Sequence, residues 1–458
     1  MQAYTPEFVL IGIALVLLMA DTFFKKLPKE VLGLAGAFGL LCNISYYTED
    51  LYGNIYPILA LVATALTLLL AVDFKKIIVE SSNDGKSTAG TGEFYILPIL
   101  ACVGITAMCK ATNLIALFVA LEILTLSSYI LVGYFRRNIG SMEAGTKYLI
   151  LGATSTGIMV FGMAWYFGIT GTFDYNSSVI DATLASGFAP ALYFALAMMV
   201  LGTAFKVGAV PMQLWIPDVY QGAPTPTTAF LSVASKVAGF ALLQFILAPF
   251  INDCNVNFII GLMAAATLLV GNLGAIHQTN LKRLLGYSSI AQAGFILPFF
   301  ITNEQGPNDY AGLYLAAYLV MTFGAFFALA MVRTQRGSEA IDAFAGLGKT
   351  NPRLAFAITV MFASLAGVPL TVGFLAKFTS FVYVITSHQY LSWLLPIMII
   401  SAASGFYYYL KVVKAMYWDA QPEATSNAKI HVPVISGVVL VICTLTVLLG
   451  GTIPLFFM

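Results

Sequence analysis

Apolar stretches of about 20 residues follow one another along the chain, each closed by a short polar segment. A helix needs about 20 apolar residues to cross a hydrocarbon core of about 30 Å. The pattern predicts about fourteen spans, at 6–24, 30–48, 55–73, 94–111, 112–134, 146–170, 190–219, 227–248, 257–277, 284–302, 311–333, 354–385, 391–417 and 432–456. The fourth and fifth are nearly continuous, with a junction near Lys110–Asn113. Two are too long. Residues 190–219 as one helix would reach about 45 Å, and 354–385 is similarly overlong. Each has a proline inside, Pro211 in the first and Pro369 in the second, the latter between Gly367 and Gly373. A proline removes a ladder hydrogen bond and clashes with the preceding turn. The expectation is two discontinuous helices, which survive at membrane depth only where protein or a water-filled cavity satisfies the opened backbone. The plain alternative is a pair of tilted, kinked helices.

The two overlong spans sit in matching places. One is the fourth of spans 4–8, the other the fourth of spans 9–13. Five-span units start on opposite sides of the membrane, so these would be inverted repeats with paired broken helices, the arrangement that marks a transport pathway near the bilayer midplane. The repeat is positional; no residue-level match joins the halves. The expected division is an N-terminal three-helix segment at 1–93, repeats at 94–250 and 251–420, and a C-terminal helix at 421–458.

Composition agrees with an all-α polytopic membrane protein: 59% of residues are hydrophobic and 9% charged, against about 25% charged in soluble domains. A net charge of +1 points to no nucleic-acid partner. Cys42, Cys102, Cys109, Cys254 and Cys443 form no CxxC, so no iron–sulfur or zinc site is signalled. No GxGxxG or Walker pattern occurs, so no nucleotide or redox cofactor is expected on this chain. Met1–Phe24 carries Glu7, has no basic start and is followed by Lys25, Lys26 and Lys29, and so reads as a retained span. Odd-numbered loops hold Lys25/Lys26/Lys29, Lys75/Lys76, Arg136/Arg137, Lys282/Arg283, Arg333/Arg336/Lys349/Arg353 and Lys411/Lys414/Lys429. Even-numbered loops hold Glu49/Asp50, Asp174/Asp181, Asp253 and Glu304/Asp309, with Lys110 a lone basic exception. Basic loops stay in the cytoplasm, which puts both termini outside and requires an even number of spans.

Charges inside the spans are the candidate chemistry. A charge at the bilayer centre costs roughly 2.5–3.5 kcal/mol on insertion scales. Glu122 lies near the middle of span 5, Lys206 in the long span 7 and Lys236 near mid-depth in span 8. Lys377 lies eight residues after Pro369, displaced toward the outer side. The plain readings are a structural ion pair for Glu122 with Lys206, and snorkelling lysines for the others. Three lysines facing one deep acid leave at least one cation poorly compensated. Burial favours the neutral amine and a nearby carboxylate favours the ammonium, so shifting the carboxylate's influence would load or release a proton. Glu143 and Lys147 stand at i,i+4, most simply as a helix-surface pair. Asp218 falls at a span boundary, where a loop role is the simpler reading. Gln213, Gln292, Ser288, Ser289 and Thr225 could hold waters between the lysines. His277, His388 and His431 lie at span ends or loops, too shallow for a relay.

These residues carry a resemblance. LEILTLSSYILVGY, FKVGAVPMQLWIPDVYQGAPTPTTAFLSVASK, LKRLLGYSSIAQAGF and GVPLTVGFLAKF resemble segments of the antiporter-like membrane subunits of bacterial NADH–quinone oxidoreductase, respiratory complex I. That family joins subunits N, L and M with Mrp-type cation/proton antiporters, and the run PDVYQGAPTPTTAFLS resembles its subunit N branch. The resemblance implies fourteen spans, two inverted five-helix repeats, broken helices 7 and 12 and one proton channel. It implies that Glu122 tunes Lys206 as the central proton-loading site, that Lys236 passes protons along the axis, and that Lys377 connects to the outer side. It implies subunits L, M, J and K as neighbours in the bacterial inner membrane, with FMN, iron–sulfur clusters, NADH and quinone held by other subunits. Two positions depart from the pattern. Gln213 and Gln292 stand where histidine is common, and glutamine does not titrate near neutral pH, so a relay crossing them is expected to run through ordered water. The other functions that the sequence leaves open are an Mrp-type Na⁺/H⁺ antiporter subunit, a complex I relative using another electron donor, and a small-molecule permease, for which no substrate site is apparent.

Overall fold

In the computed structural model, residues 4–24, 27–48, 55–81, 91–250, 253–301, 308–387, 391–419 and 429–452 are described. The loop charges Lys25, Lys26, Glu49, Asp50 and Glu304, and His388, lie outside them. Nineteen α-helices run in the order α1 (Thr5–Phe23), α2 (Lys29–Asn43), α3 (Ile55–Asp73), α4 (Lys75–Ser81), α5 (Glu93–Cys109), α6 (Leu114–Val132), α7 (Ile139–Thr170), α8 (Ser177–Ala185), α9 (Ala189–Val207) and α10 (Trp215–Gly222). They continue as α11 (Thr225–Leu247), α12 (Cys254–Ile276), α13 (Leu281–Ile296), α14 (Asn308–Arg336), α15 (Leu347–Thr350), α16 (Pro352–Ala366), α17 (Val372–Ser387), α18 (Leu394–Tyr417) and α19 (Val434–Thr452). Among the described residues there is no strand, only two isolated bridges. Among the described residues, ten helices are long and apolar enough to cross a membrane, and each expected apolar stretch contains helix. The chain is an all-helical membrane protein.

Side-chain caps set several helix ends. Asn113 accepts from the Ala116 N–H at 2.8 Å, which starts α6 and separates it from α5 at the doubtful junction. Asn138 accepts from the Gly140 N–H at 2.9 Å and starts α7 at Ile139. The expected span began at 146, because the polar run Gly140–Lys147 reads as loop by hydropathy; the Asn138 cap winds it into the helix instead. The amphipathic α8, in the connection before α9, was not expected at all.

α11 and α14, the most enclosed of the ten candidate spans, pack on each other at the centre. Exposed apolar side chains cover the outer faces of α1, α7 and α19, including Phe8, Val16, Ile150, Phe161, Val438 and Ile442. Apolar exposure on this scale requires cover by lipid or another protein. The C-terminal helix is tied back to α3, because Asp73 accepts from the Ser436 N–H at 2.9 Å and from its hydroxyl.

Lys110 has a local explanation. Its ammonium lies 3.0 Å from the buried carboxylate of Glu7, which also accepts from Tyr47 Oη at 3.1 Å. The ammonium therefore neutralises an acid on α1 and contributes little to the charge of its loop. Glu7→Gln should remove the carboxylate that Lys110 and Tyr47 share and lower the stability of the detergent-solubilised protein by about 2 kcal/mol. Thermal unfolding would register this as a clear fall in Tm, and an unchanged Tm would show that the pair is not structural.

Candidate functional site

The first break follows Lys206. This lysine occupies the last turn of α9, where Gly208 adopts φ +78° and ends the helix. The Ala204 carbonyl accepts from both the Gly208 and Ala209 N–H groups, each at 2.9 Å, a standard way to close a helix C-terminus. Residues 208–214, including Pro211 and Gln213, are non-helical before α10 resumes. Val210 N–H donates to Thr267 Oγ1 at 3.0 Å and the Trp215 indole N–H to the Phe205 carbonyl at 3.0 Å. The opened backbone is thus held by side chains at depth.

Lys206 Nζ is buried and has no hydrogen-bond partner among the described residues. It faces the rings of Tyr148 at 5.7 Å and Phe205 at 5.9 Å, a favourable site for a cation, at the negative end of the α9 dipole. Glu122, ninth of nineteen residues in α6, is in electrostatic contact with Lys206, although no ion pair within 4 Å joins them among the described residues. Its Oε1 is buried without a hydrogen-bond partner. Tyr148 stacks on Phe205 and packs against Trp215, so helices α7, α9 and α10 jointly shape the Lys206 site.

Lys236 lies midway along α11 and is 1% exposed. Its ammonium donates to the Ser289 carbonyl of α13 and faces the Tyr318 ring at 5.7 Å. Tyr318 Oη is 2.9 Å from Ser232 Oγ. Ser288, Ser289 and Gln292 of α13 lead away from Lys236. Ser288 Oγ is hydrogen-bonded to Tyr409 Oη. Gln292 Nε2 donates to Tyr409 Oη at 3.3 Å and to the Leu365 carbonyl at 3.4 Å, and its Oε1 accepts from Tyr314 Oη at 2.5 Å.

The second break receives this line. α16 ends at Ala366 with Gly367 at φ +91°, and α17 starts at Val372, with Pro369 between them. Lys377 reaches back across the break and donates to the Leu365 carbonyl at 3.0 Å and the Ala366 carbonyl at 2.9 Å. These are last-turn carbonyls that helix termination leaves without intrahelical partners. Gln292 and Lys377 therefore share the Leu365 carbonyl, and hydrogen bonds join Ser288, next in the chain to the Ser289 that holds Lys236, to the carbonyl that holds Lys377. At Gln292 these contacts are direct. Gln213 is different, because its Oε1 is buried without a partner among the described residues, as is Thr225 Oγ1.

A second cluster lies where α10 meets α11. Lys147 bonds Glu143 at 2.7 Å, as the i,i+4 spacing suggested, and also Asp218 at 2.8 Å. Asp218 further accepts from Arg283 at 2.5 Å, so it links three helices and is no loop ornament. Lys282, expected as a loop charge, is buried, paired with Glu339 at 2.9 Å and bonded to the Ala223 carbonyl at 2.8 Å. These groups line a polar cleft of about 330 Å³ that reaches Thr225, three turns or about 16 Å along α11 from Lys236. His277 caps the end of α12 and His431 precedes α19, both remote from the lysine line. Sequence reasoning missed the tyrosines Tyr148, Tyr314, Tyr318 and Tyr409. Their hydroxyls are hidden within apolar runs, and the Tyr407–Tyr409 triplet was the one available signal.

Apolar helices, two helix breaks and buried lysines at each break define an antiporter-like membrane subunit. Residues 111–403 match the family described as "NADH:quinone oxidoreductase/Mrp antiporter, TM". The chain is 35% identical to NADH-quinone oxidoreductase subunit N of Brevibacillus brevis, covering 93% of this chain and 88% of that one. It is also 35% identical to subunit N of Geobacillus sp., over 99% and 96%. A chain of respiratory complex I from Thermus thermophilus with bound aureothin superposes with a TM-score of 0.80 at 28% identity, over 98% of both chains. The protein belongs to the NADH-quinone oxidoreductase/Mrp antiporter family, in its subunit N branch.

A Cβ on Gly373 would stand 1.9 Å from the Ser364 carbonyl oxygen, so α16 and α17 approach there to backbone contact. Gly373→Ala should part them and cost about 1–3 kcal/mol, read as a lowered Tm. Gly157→Ala on the open face of α7, where a Cβ meets nothing within 4 Å, should not lower it. Equal behaviour of the two variants would contradict this close approach.

Proposed function

We propose that this chain is a proton-translocating membrane-arm subunit of an NADH–quinone oxidoreductase. The observation that carries the proposal is a row of buried polar groups: Lys236 bonds the Ser289 carbonyl, the adjacent Ser288 is hydrogen-bonded through Tyr409 to Gln292, and Gln292 shares the Leu365 carbonyl with Lys377, with Lys206 and Glu122 beyond Lys236. In this reading the helices make fourteen crossings: α9 with α10 form the seventh, and α16 with α17 the twelfth. Crossings 4–8 and 9–13 are the two inverted repeats, within segments 94–250 and 251–420, and the loop charges place both termini on the outer side of the bacterial inner membrane. Subunits L, M, J and K are its expected neighbours, and NADH, FMN, iron–sulfur clusters and quinone belong to other subunits of the assembly.

Glu122 and Lys206 form the input. With Glu122 charged and close, the ammonium of Lys206 is favoured; when that influence is withdrawn, the buried amine is favoured and the proton leaves. Lys206 suits this role because no hydrogen bond fixes it, so Glu122 is its main counter-charge. Lys236 and Lys377 are held by backbone carbonyls, which stabilise an ammonium without trapping it as a carboxylate pair would. The hydroxyls of Ser288 and Tyr409 both donate and accept hydrogen bonds, which lets them hand on a proton in company with ordered water without themselves ionising, while the Gln292 amide positions Tyr409, Tyr314 and the Leu365 carbonyl. The polar cleft ending at Thr225 is a route by which water could approach the line, and Gln213 and Thr225, with buried unpartnered oxygens, are places for ordered water. Glu143 and Lys147, with Asp218, support the cleft wall.

Lys206→Ala in the assembled complex should reduce quinone-coupled activity roughly tenfold or more, a change of at least about 1.4 kcal/mol, with assembly intact. Full activity with an undiminished proton-to-electron ratio would remove Lys206 from the pathway. Purification in mild detergent tests the assembly. Flavin and iron–sulfur subunits should accompany the chain; their absence, with sodium-dependent proton exchange in vesicles, would identify an Mrp-type antiporter instead.

A further inference from the structure

Outside the lysine line, the widest cavity described is a lateral groove of about 630 Å³ between the start of α16 and the face of α19. Its floor is apolar, formed by Leu354, Phe356, Leu440, Val441 and Leu445 among others. Two threonines on its wall are internally satisfied: Thr350 Oγ1 donates to the Gly346 carbonyl and Thr444 Oγ1 to the Leu440 carbonyl. They offer a ligand little polarity. One end of the groove is different, since Arg353 and Lys429 both line it there. Both are exposed, and neither has an ion-pair partner among the described residues.

That end is built. The Asn351 amide donates to the Ile430 carbonyl at 2.9 Å and accepts from the Ile430 N–H at 2.9 Å. The Gln335 amide makes the same double bond with His431, at 2.5 Å and 2.6 Å. Two side-chain amides thus pin the segment carrying Lys429 against the start of α16, which carries Arg353. Asn351 precedes α16 but spends its side chain on this clamp and does not cap the helix. The N-terminal end of α16 therefore adds positive potential at the same place.

The dimensions select the ligand. From Gly437 to Leu445 the groove follows α19 for nine residues, about 12 Å. That is most of one leaflet of a hydrocarbon core of about 30 Å. An apolar channel of this depth, with two cations at its polar end that have no ion-pair partner among the described residues, matches the chemistry of an anionic glycerophospholipid. We propose that this groove is a binding site for one such lipid, with an acyl chain along α19 and the phosphate held by Arg353 and Lys429. A partner helix in the groove would leave both cations without counter-charge unless it brought an acid to them; a phosphate supplies that charge directly, and an arginine accepts it through two parallel hydrogen bonds.

The test uses the purified assembly, stripped of loosely held lipid and exposed to phosphatidylglycerol with a photoactivatable acyl chain. Label should appear in peptides of α16 or α19, and unlabelled phosphatidylglycerol should displace it while phosphatidylcholine does not. Labelling should fall at least tenfold in Arg353→Gln/Lys429→Gln, which removes the cations. A similar fall is expected in Val441→Trp, which fills the groove from an exposed position. Absence of label from both helices, as when another subunit covers the groove, would overturn the proposal. So would undiminished labelling in the charge variant, or equal displacement by phosphatidylcholine. If the tryptophan variant does not assemble, the charge variant alone decides.

Discussion

An ammonium inside hydrocarbon must find compensating negative potential, and this structure supplies it chiefly from interrupted backbone. A continuous helix uses its own carbonyls, whereas a helix that ends at mid-depth presents its last turn to whatever lies beside it. Lys206 stands in the last turn of α9 and Lys377 bonds the last two residues of α16. Lys236 lies within an unbroken helix and takes its carbonyl from Ser289 on α13. Only Lys206 has a carboxylate in electrostatic contact. The breaks and the lysines are therefore linked: each break places a helix C-terminus beside a buried cation, and at the second break Lys377 in turn gives the opened carbonyls of Leu365 and Ala366 a partner.

The rest of the bundle keeps those ends in place. At the first break Thr267, Trp215 and the aromatic group around Tyr148 hold residues 205–215. At the second, Ser364 and Gly373 bring two helix ends together through backbone and a hydroxyl, with Gly373 N–H donating to Ser364 Oγ at 3.1 Å. Asp218, with Lys147 and Arg283, ties α10 to α7 and α13 at one end of the line. The tyrosines then fill the space between the lysines with rings and the gaps between carbonyls with hydroxyls.

Much of this could be read in the chain itself. Overlong apolar runs with Pro211 and Pro369 inside them announced the breaks, because a proline so far from a helix start removes a ladder hydrogen bond and clashes with the preceding turn. Glu122, Lys206, Lys236 and Lys377 stood out because charge is costly in apolar sequence. Other features were out of reach. Lys282 lies in a polar segment, and only the fold reveals that Glu339 and the Ala223 carbonyl enclose it. Tyr409 resembles any other aromatic residue of an apolar helix until Ser288 and Gln292 are seen beside it. Gln292 reads alone as a missing titratable group; in place, it is the point where α13, α14, α18 and α16 share hydrogen bonds. The start of α7 was misread because hydropathy sees a polar loop where Asn138 caps a helix. Lys110 looked like an exception to loop charge because its partner, Glu7, is more than a hundred positions away.

The central claim is that the row of polar groups between Lys236 and Lys377 carries protons. Gln292→Leu tests it most directly, since leucine fills similar space while removing both the donor and the acceptor that link Tyr314, Tyr409 and the Leu365 carbonyl. In the reconstituted assembly the number of protons moved per electron pair should fall, with the complex still assembled and still able to reduce quinone. An unchanged proton-to-electron ratio in that variant would contradict the account.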